Sequence, residues 1–309
     1  MSLTRSAVSE WFDLELGMPH LGRNGLNESA LLKAVGHDRW QVLEQLGSVR
    51  TSAIRDAFDN RLYATYCFVE LKLSPDRPLS AYDENHKLRF ARDLSHYGRV
   101  YLDGSYSLLE GGPFTMRCTN VFIYQLAGPQ QLKMAQPENC DFDAITELES
   151  QPESLDFCRA AKEAGTFRTL EAGGIDLGTM EVQYQLDPDR DANGAGLIYF
   201  ANFVCFLDFA ERTLLRGRGA PQAVIDARST FWRRMGYFGN APVTDRLHIT
   251  IRAKLYPQDD RAVLGFDYQI RRESDGKLIL VSSSRKAAAL EEAGRSWIGS
   301  FETPGSRNG

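Results

Sequence analysis

A turn of asparagine and glycine that runs into an apolar helix occurs twice in the sequence and offers its clearest candidate for chemistry. The first copy contains Asn24-Gly25-Leu26-Asn27, and the second contains Asn193-Gly194 and then Tyr199-Phe200-Ala201-Asn202. The first N–H groups of a helix have no partner within that helix, so they can stabilise negative charge on a nearby oxygen. Glycine allows the backbone to approach that oxygen closely. The first turn therefore predicts hydrogen-bond donors for an oxyanion.

Acidic residues near the helices offer a second kind of chemistry. Asp191 lies just ahead of the second helix, Glu211 lies within it, and Glu28 is the first-half counterpart. A carboxylate in such a position can activate water or attack a carbonyl carbon. The sequence has no GxSxG elbow, HExxH motif or P-loop, and its five histidines show no metal-ligand spacing. We therefore expect neither a serine triad nor a metal site.

The turns belong to a longer internal repeat, which predicts two similar halves. Three residue types recur at one constant offset: Asp83, His86 and Ala91 in the first half, and Asp245, His248 and Ala253 in the second. Both sets follow a predicted helix, so duplication explains their order better than chance does. His86 and His248 fall on the polar face of matching strands, and we expect both to face solvent.

The apolar pattern predicts the elements that must position these residues. In the first half it predicts a helix over 28–46, in one piece or in two around Gly36-His37-Asp38, and strands over 62–73, 86–91, 100–109 and 114–126. In the second half it predicts an enclosed helix over 198–215, an alternating strand over 247–255, and a hairpin of 263–271 with 277–283. A short helix is predicted over 154–164 in the connector.

One long helix followed by an antiparallel sheet, occurring twice, predicts an α+β double hot-dog fold. In this fold two antiparallel sheets each wrap around a long central helix. An α/β sheet with crossovers fits less well, because the strands follow one another without intervening helices. The predicted boundaries are an N-terminal hot-dog domain over 1–135, a connector over 136–175, a C-terminal hot-dog domain over 176–300 and a tail over 301–309.

Composition restricts the partners and the location. A net charge of −5 argues against a nucleic-acid partner, which usually calls for a basic surface. The longest apolar run, 197–207, is too short for a transmembrane helix, and the N-terminus does not resemble a secretory signal. The five cysteines are scattered and never in CxxC spacing. We therefore expect a cytoplasmic protein with no membrane contact.

Several segments of the first half resemble one family. These are Gly17-Met18-Pro19-His20-Leu21, the turn with the Glu28-Ser29-Ala30-Leu31-Leu32 that follows it, Trp40, Arg61-Leu62-Tyr63-Ala64-Thr65-Tyr66, and Pro78 to Asn85. They resemble the LnmK-type bifunctional acyltransferase/decarboxylases of polyketide biosynthesis. The second half, with Asn193-Gly194 and Tyr199 to Asn202, is similar to hot-dog acyl-CoA thioesterases in general.

The resemblance implies that the protein decarboxylates methylmalonyl-CoA, or a related carboxyacyl-CoA, and transfers the propionyl group to an acyl carrier protein. It implies that Tyr63 is the acyl acceptor. A phenol is a poor nucleophile at neutral pH, so Tyr63 would need a cation or base, and His20 could serve as either. Asn24 and Asn27 then form the oxyanion turn, and the acyl pocket is expected between this turn and the sheet that carries Tyr63. No metal or organic cofactor is expected, because the thioester itself accepts the electrons. A homodimer through sheet edges is compatible with the fold, but the sequence does not specify it.

Other interpretations of the same residues stay open at this point. Tyr63 could only donate a hydrogen bond or pack in the core, His20 could cap its turn, and Asn27 is a good helix N-cap in any case. An acyl-CoA or acyl-carrier thioesterase would use Asp191, Glu211 or Glu28 and release a free acid. A dehydratase would use His20 with Asp208, although Asn24 stands where that family has glycine. A non-catalytic acyl-binding module is the remaining alternative.

Overall fold

The computed structural model of the protein describes residues 10–47, 49–258 and 260–302. The helices are α1 (Glu28–Gly47), α2 (Glu153–Ala164), α3 (Pro188–Asp191), α4 (Phe203–Gly217), α5 (Gln222–Ala227) and α6 (Glu292–Glu302). The first-half strands are β1 (Trp11–Glu15), β2 (Leu21–Gly22), β3 (Gly25–Leu26), β4 (Tyr63–Leu73), β5 (Lys87–Tyr97), β6 (Tyr101–Leu108), β7 (Phe114–Gln125), β8 (Leu132–Met134) and β9 (Thr146–Glu147). The second-half strands are β10 (Ile175–Gln185), β11 (Ser229–Tyr237), β12 (Arg246–Pro257), β13 (Arg261–Arg272) and β14 (Leu278–Ala289).

The two halves have the same strand order, as the repeat predicts. The first half runs β1-β5-β6-β7-β4, and the second runs β10-β12-β13-β14-β11 in the equivalent order. The expected two sheets are joined into one, because β4 pairs with β11 in antiparallel fashion, from Phe68 opposite Gly236 to Lys72 opposite Trp232. This shared strand pair places the two central helices against one continuous sheet.

The first central helix is a single helix. Asn27 caps it, since its Oδ1 accepts a hydrogen bond from the Ala30 N–H at 3.1 Å. The interruption considered at Gly36 does not occur. A Cβ atom at Gly36 would lie 2.6 Å from the Tyr199 hydroxyl, so glycine serves here to let α1 approach the second half. Across the part of the chain that the structure describes, no helix is long and apolar enough to cross a membrane.

The second central helix starts later than the sequence predicts. Residues 198–202 are not part of α4: Ile198 is held by the Asn240 side chain, and a 3-10 turn spans Phe200–Asn202. Most of α4 is then enclosed, in agreement with its apolar pattern. The alternating strand is also confirmed, because its five apolar residues on one face, Leu247, Ile249, Ile251, Ala253 and Leu255, are completely buried.

Candidate functional site

A cavity of about 420 Å³ lies where the pairing of β4 with β11 ends. Beyond the last pair, Phe68 with Gly236, the two strands separate. Tyr66 and Cys67 line the cavity from β4, and Tyr237 and Phe238 line it from β11 and the residue after it. A β-bulge between Tyr66 and Phe68 helps to turn β4 away at this point. The cavity therefore sits between the two halves, at the first half's sheet.

The start of the second central helix forms another wall of this cavity. Ile198, Phe200 and Phe203 all line it. Asn240 fixes this segment, because its Oδ1 accepts from the Ile198 N–H at 2.9 Å and its Nδ2 donates to the Ile198 carbonyl at 3.1 Å. The opening N–H groups of the turn Phe200–Asn202 have no partner within the turn. They are candidate donors for an oxygen bound in the cavity.

Tyr66 is the side chain in the cavity wall best suited to donate a proton in a hydrogen bond. Its ring stacks on Phe200, with centroids 3.8 Å apart. Its hydroxyl is buried and has no hydrogen-bond partner. Burial raises the pKa of Tyr66 well above its ordinary value, so the hydroxyl keeps its proton at neutral pH. A protonated, unpartnered hydroxyl in an apolar wall is a donor for a developing oxyanion.

The cavity lacks the usual acid-base groups. Among the described residues that line it there is no aspartate, glutamate or histidine. The thiols in the wall are also poor nucleophiles, because burial raises the pKa of Cys158 to about 12 and that of Cys67 well above its ordinary value. The charged groups that do line it are three exposed cations, Arg159, Lys162 and Lys277.

Tyr63 lies beside this cavity without lining it. It is the first residue of β4 and is half-buried against Val121, Ile123 and Leu197. Its ring is covered by the Arg61 guanidinium, 4.9 Å from the ring centroid. Tyr63 is thus on the outer face of the same strand that supplies Tyr66. Its role as acyl acceptor stays a prediction.

The other predicted site residues lie elsewhere. Asn24 donates from Nδ2 to the Ala227 carbonyl at 3.0 Å, which places it near the end of β4 that is opposite to Tyr63. The N-cap Asn27 is at the same end. His20 caps its turn, since its Nδ1 accepts from the Gly17 N–H at 3.1 Å. It lines a separate groove with His37 and Arg92. The expected pocket between the Asn24–Asn27 turn and Tyr63 is therefore corrected: β4 keeps the two apart.

The carboxylates predicted as candidates for hydrolysis accept hydrogen bonds from other groups of the protein. Asp191 is buried and accepts from the N–H of Asp187 and from Arg190, at 2.9 Å in both cases. Glu28 accepts from Arg233 at 2.6 Å and from the Thr230 hydroxyl at 2.9 Å. Neither carboxylate lines the cavity.

Glu211, the third of these carboxylates, is inside a buried ionic network. Its side chain contacts Lys286 at 2.7 Å and Arg228 at 2.9 Å, and Arg233 lies 3.7 Å away. Burial opposes its charge, but the three cations outweigh burial and lower the pKa of Glu211 to about 2. A carboxylate with such a low pKa is a weak base. Asp208, the predicted partner of His20 in a dehydratase, joins this network through Lys286 at 2.6 Å. It does not line the groove that contains His20.

Sequence reasoning missed Tyr66, Phe200 and Asn240 as the residues that shape the cavity. Both Tyr66 and Phe200 belong to sequence segments that resemble known families, but nothing in those segments predicts that either residue lines a cavity. In the ranges that the structure describes, no group of three or more His, Cys, Asp or Glu residues could hold a metal ion.

No family model and no curated protein sequence matches this chain. Similar solved structures exist. A protein assigned as an oleoyl thioesterase from Lactobacillus plantarum is 8% identical with a TM-score of 0.63, over 93% of this chain and 100% of that one. A 12:0-ACP thioesterase from Umbellularia californica is 10% identical with a TM-score of 0.53, over 91% and 94%. An acyl-ACP thioesterase from Bacteroides thetaiotaomicron is 11% identical with a TM-score of 0.52, over 89% and 96%.

The protein has the double hot-dog fold. The likeness extends over nearly the whole length of each chain, which confirms the predicted fold. At such low identity it shows the fold alone, and a fold hosts many activities. The activity of this double hot-dog therefore depends on the residues that line its cavity.

Proposed function

We propose that the protein acts on a carboxyacyl thioester, decarboxylating methylmalonyl-CoA or a related carboxyacyl-CoA, and that it passes the resulting acyl group to an acyl carrier protein. The observation that carries this proposal is the composition of the cavity. It offers hydrogen-bond donors to an oxyanion, but among the described lining residues it offers no carboxylate or imidazole that would activate water. Decarboxylation needs the donors, whereas hydrolysis in this kind of site calls for a base.

An enolate is the intermediate that these donors would stabilise. When the carboxylate leaves as CO2, the electron pair of the broken carbon–carbon bond moves onto the thioester, and the thioester oxygen becomes negative. Tyr66 and Phe200, the first residue of the turn Phe200–Asn202, both line the cavity, and in this proposal the Tyr66 hydroxyl and the first N–H groups of the turn stabilise that oxygen. The carbon then takes a proton from water, and the product is the propionyl thioester.

Transfer to a carrier protein exchanges one thiol for another. The carrier's thiol attacks the propionyl carbonyl and loses its proton to water, and the same donors stabilise the tetrahedral oxyanion. The bond to the sulfur of coenzyme A then breaks, and the leaving thiolate takes a proton from water. Arg159, Lys162 and Lys277 give the cavity three exposed cations, which suit the phosphates of coenzyme A or of a phosphopantetheine arm. If Tyr63 accepts the acyl group in between, its oxygen has to reach the cavity from the neighbouring face of β4.

The experiment is mass spectrometry of the products formed from methylmalonyl-CoA, with and without a phosphopantetheinylated carrier protein. Wild type is compared with Tyr66→Phe, Tyr63→Phe and the control Tyr256→Phe, which removes a surface hydroxyl in the second half. We expect propionyl-CoA and propionyl-carrier from wild type and control. Loss of the Tyr66 hydroxyl should lower kcat by about 10²–10³-fold, the effect of removing one oxyanion donor.

Three results would change or refine the proposal. Free methylmalonate or free propionate as the main product would indicate a thioesterase, the alternative that the fold also accommodates. A propionyl adduct on wild type that is missing from Tyr63→Phe would assign the acyl acceptor to Tyr63. Full activity of Tyr66→Phe would remove Tyr66 from the mechanism.

A further inference from the structure

Three side chains inside the first half are buried with their polar atoms unused. Arg39 and Asn120 are each 1% exposed, and Tyr66 is 5% exposed. All three guanidinium nitrogens of Arg39, both amide atoms of Asn120 and the Tyr66 hydroxyl have no hydrogen-bond partner. A buried polar group without a partner costs free energy, and a buried charge costs more. A ligand that supplies the missing partners is one explanation for such groups.

The three side chains belong to one region. Tyr66 on β4 and Asn120 on β7 are directly opposite each other in the strand register, so their side chains share a face of the sheet. Arg39 comes from α1 and lies over Gly104 of β6, where a Cβ atom would be 2.6 Å from its Nη2. Gly104 in turn pairs with Cys118, two residues from Asn120 on β7. We call Arg39, Tyr66 and Asn120 the inner cluster.

No carboxylate is hydrogen-bonded to the Arg39 guanidinium. The adjacent Asp38 is already used, because it accepts from Arg92 at 2.5 Å and from the Tyr106 hydroxyl at 2.8 Å. The Arg39 guanidinium instead lies 5.3 Å from the centroid of the Tyr106 ring, a cation–π contact that satisfies none of its N–H groups. The inner cluster therefore combines one buried cation with unused donors, which is the chemistry of an anion site.

Tyr66 connects the inner cluster to the cavity. It lines the cavity beside Phe200, and it also faces Asn120 across the strand pair. A ligand whose thioester lies in the cavity would place the far end of its acyl group near this ring. A planar guanidinium with an amide beside it matches a carboxylate, which accepts two parallel hydrogen bonds from arginine.

We propose that the inner cluster binds the free carboxylate of the acyl group, so that the protein selects carboxyacyl thioesters over plain acyl thioesters. This inference rests on the proposed function, because it assigns the substrate's carboxylate to a subsite of the same cavity. Arg39 supplies the charge, Asn120 supplies an amide donor, and Tyr66 stands between the carboxylate and the thioester oxygen. Arg39 selects and positions the substrate and takes no proton.

The test compares two ligands that differ by the carboxylate, methylmalonyl-CoA and propionyl-CoA. Binding is measured by rapid ultrafiltration on ice, and the recovered thioester is identified by mass spectrometry. Wild type should bind methylmalonyl-CoA more tightly than propionyl-CoA. Arg39→Met should weaken methylmalonyl-CoA binding by about 10–100-fold, the range for a lost hydrogen-bonded charge. It should leave propionyl-CoA binding within about 2-fold, which also shows that the variant is folded.

Two further variants sharpen this test. Arg39→Lys should recover part of the selectivity, since lysine restores the positive charge but lacks the planar guanidinium that can bond to both carboxylate oxygens. Asn120→Leu should lose less than Arg39→Met, because it removes a neutral partner. An equal effect of Arg39→Met on both ligands, or no effect on either, would overturn the inference.

The experiment separates this inference from the proposed function. Selective binding of methylmalonyl-CoA through Arg39 without propionyl product would support the carboxylate subsite and refute the decarboxylation. Formation of propionyl product with selectivity independent of Arg39 would support the decarboxylation and refute the subsite.

Discussion

The two ends of the β4–β11 strand pair are equivalent in the duplicated fold, yet they are built differently. At one end the start of α4 meets Tyr66 of β4 and leaves a cavity. At the other end the start of α1 meets β11, and there Glu28 is bonded to Arg233 and Thr230. One end has a cavity lined by Tyr66, whose hydroxyl has no hydrogen-bond partner, whereas at the other end the Glu28 carboxylate is bonded to protein groups. The duplicated fold therefore has two equivalent positions for a site, and in this chain the position beside Tyr66 holds a cavity.

The same contrast holds for the two fully buried arginines. Arg233 lies within 3.7 Å of three carboxylates, those of Glu28, Asp208 and Glu211, whereas Arg39 has no hydrogen-bonded partner. The framework around them is conserved between the halves. Tyr106 donates to Asp38 and Tyr268 donates to Glu211, and these two tyrosines are separated by the same offset as His86 and His248. A tyrosine–carboxylate pair therefore lies beside both arginines. Arg233 is structural because carboxylates pair with its charge, whereas Arg39 is available to a ligand because no carboxylate is hydrogen-bonded to it.

The largest expected effect is that of Arg233→Met. It leaves Glu28 and part of the Glu211 network without a cation inside the protein, so the free energy of unfolding should fall by about 3–5 kcal/mol. Urea unfolding followed by circular dichroism measures this change. A loss below about 1 kcal/mol would mean that the ion pairs are not what closes this end of the molecule.

The second expected effect is acid destabilisation of the Glu211 network. The pKa of Glu211 is lowered to about 2 from an ordinary value of 4.5. A lowered pKa stabilises the folded state fully above the ordinary value, and this contribution is lost as the pH falls from about 4.5 to about 2. Unfolding free energies at a series of pH values should fall through this window. In Glu211→Gln, a variant less stable at neutral pH, the decrease should be smaller, and an unchanged decrease would assign it to other carboxylates.

A smaller effect of opposite sign is expected for Arg39→Met. Removing a buried charge that has no hydrogen-bonded partner relieves its desolvation cost, so the free energy of unfolding should rise by about 1–2 kcal/mol. The measurement is the same urea titration, run beside Arg233→Met. A strong loss of stability would show that Arg39 is a structural residue like Arg233 and would erase the contrast between the two.

The smallest effect is expected for Asn24→Ala. This change removes one hydrogen bond to the Ala227 carbonyl, a contact between the halves, and should cost about 0.5–1.5 kcal/mol. The turnover of the folded variant then tests the catalytic role that the sequence predicts for Asn24. A drop in kcat of about 100-fold or more would keep the Asn24–Asn27 turn in the mechanism.

Much of the fold could be predicted from local pattern. The alternation of Leu247 to Leu255 predicts a buried strand face, and Asn27 before an apolar helix predicts a cap, because both features depend on neighbours a few residues away. The start of α4 could not be predicted in this way. Residues 198–202 are as apolar as the helix that follows, and the side chain that holds Ile198 outside the helix, Asn240, is 42 residues distant.

The sequence by itself determined the duplicated helix-and-sheet pattern, since periodicity and turn residues act over short distances. Only the tertiary structure decided which helix start opens onto a cavity and which is closed. That choice depends on pairs such as Glu28 with Arg233, separated by 205 positions, and Asn24 with Ala227, separated by 203. Whether a buried charge has a partner is a property of the assembled fold, because its desolvation and its compensation both come from residues remote in the chain.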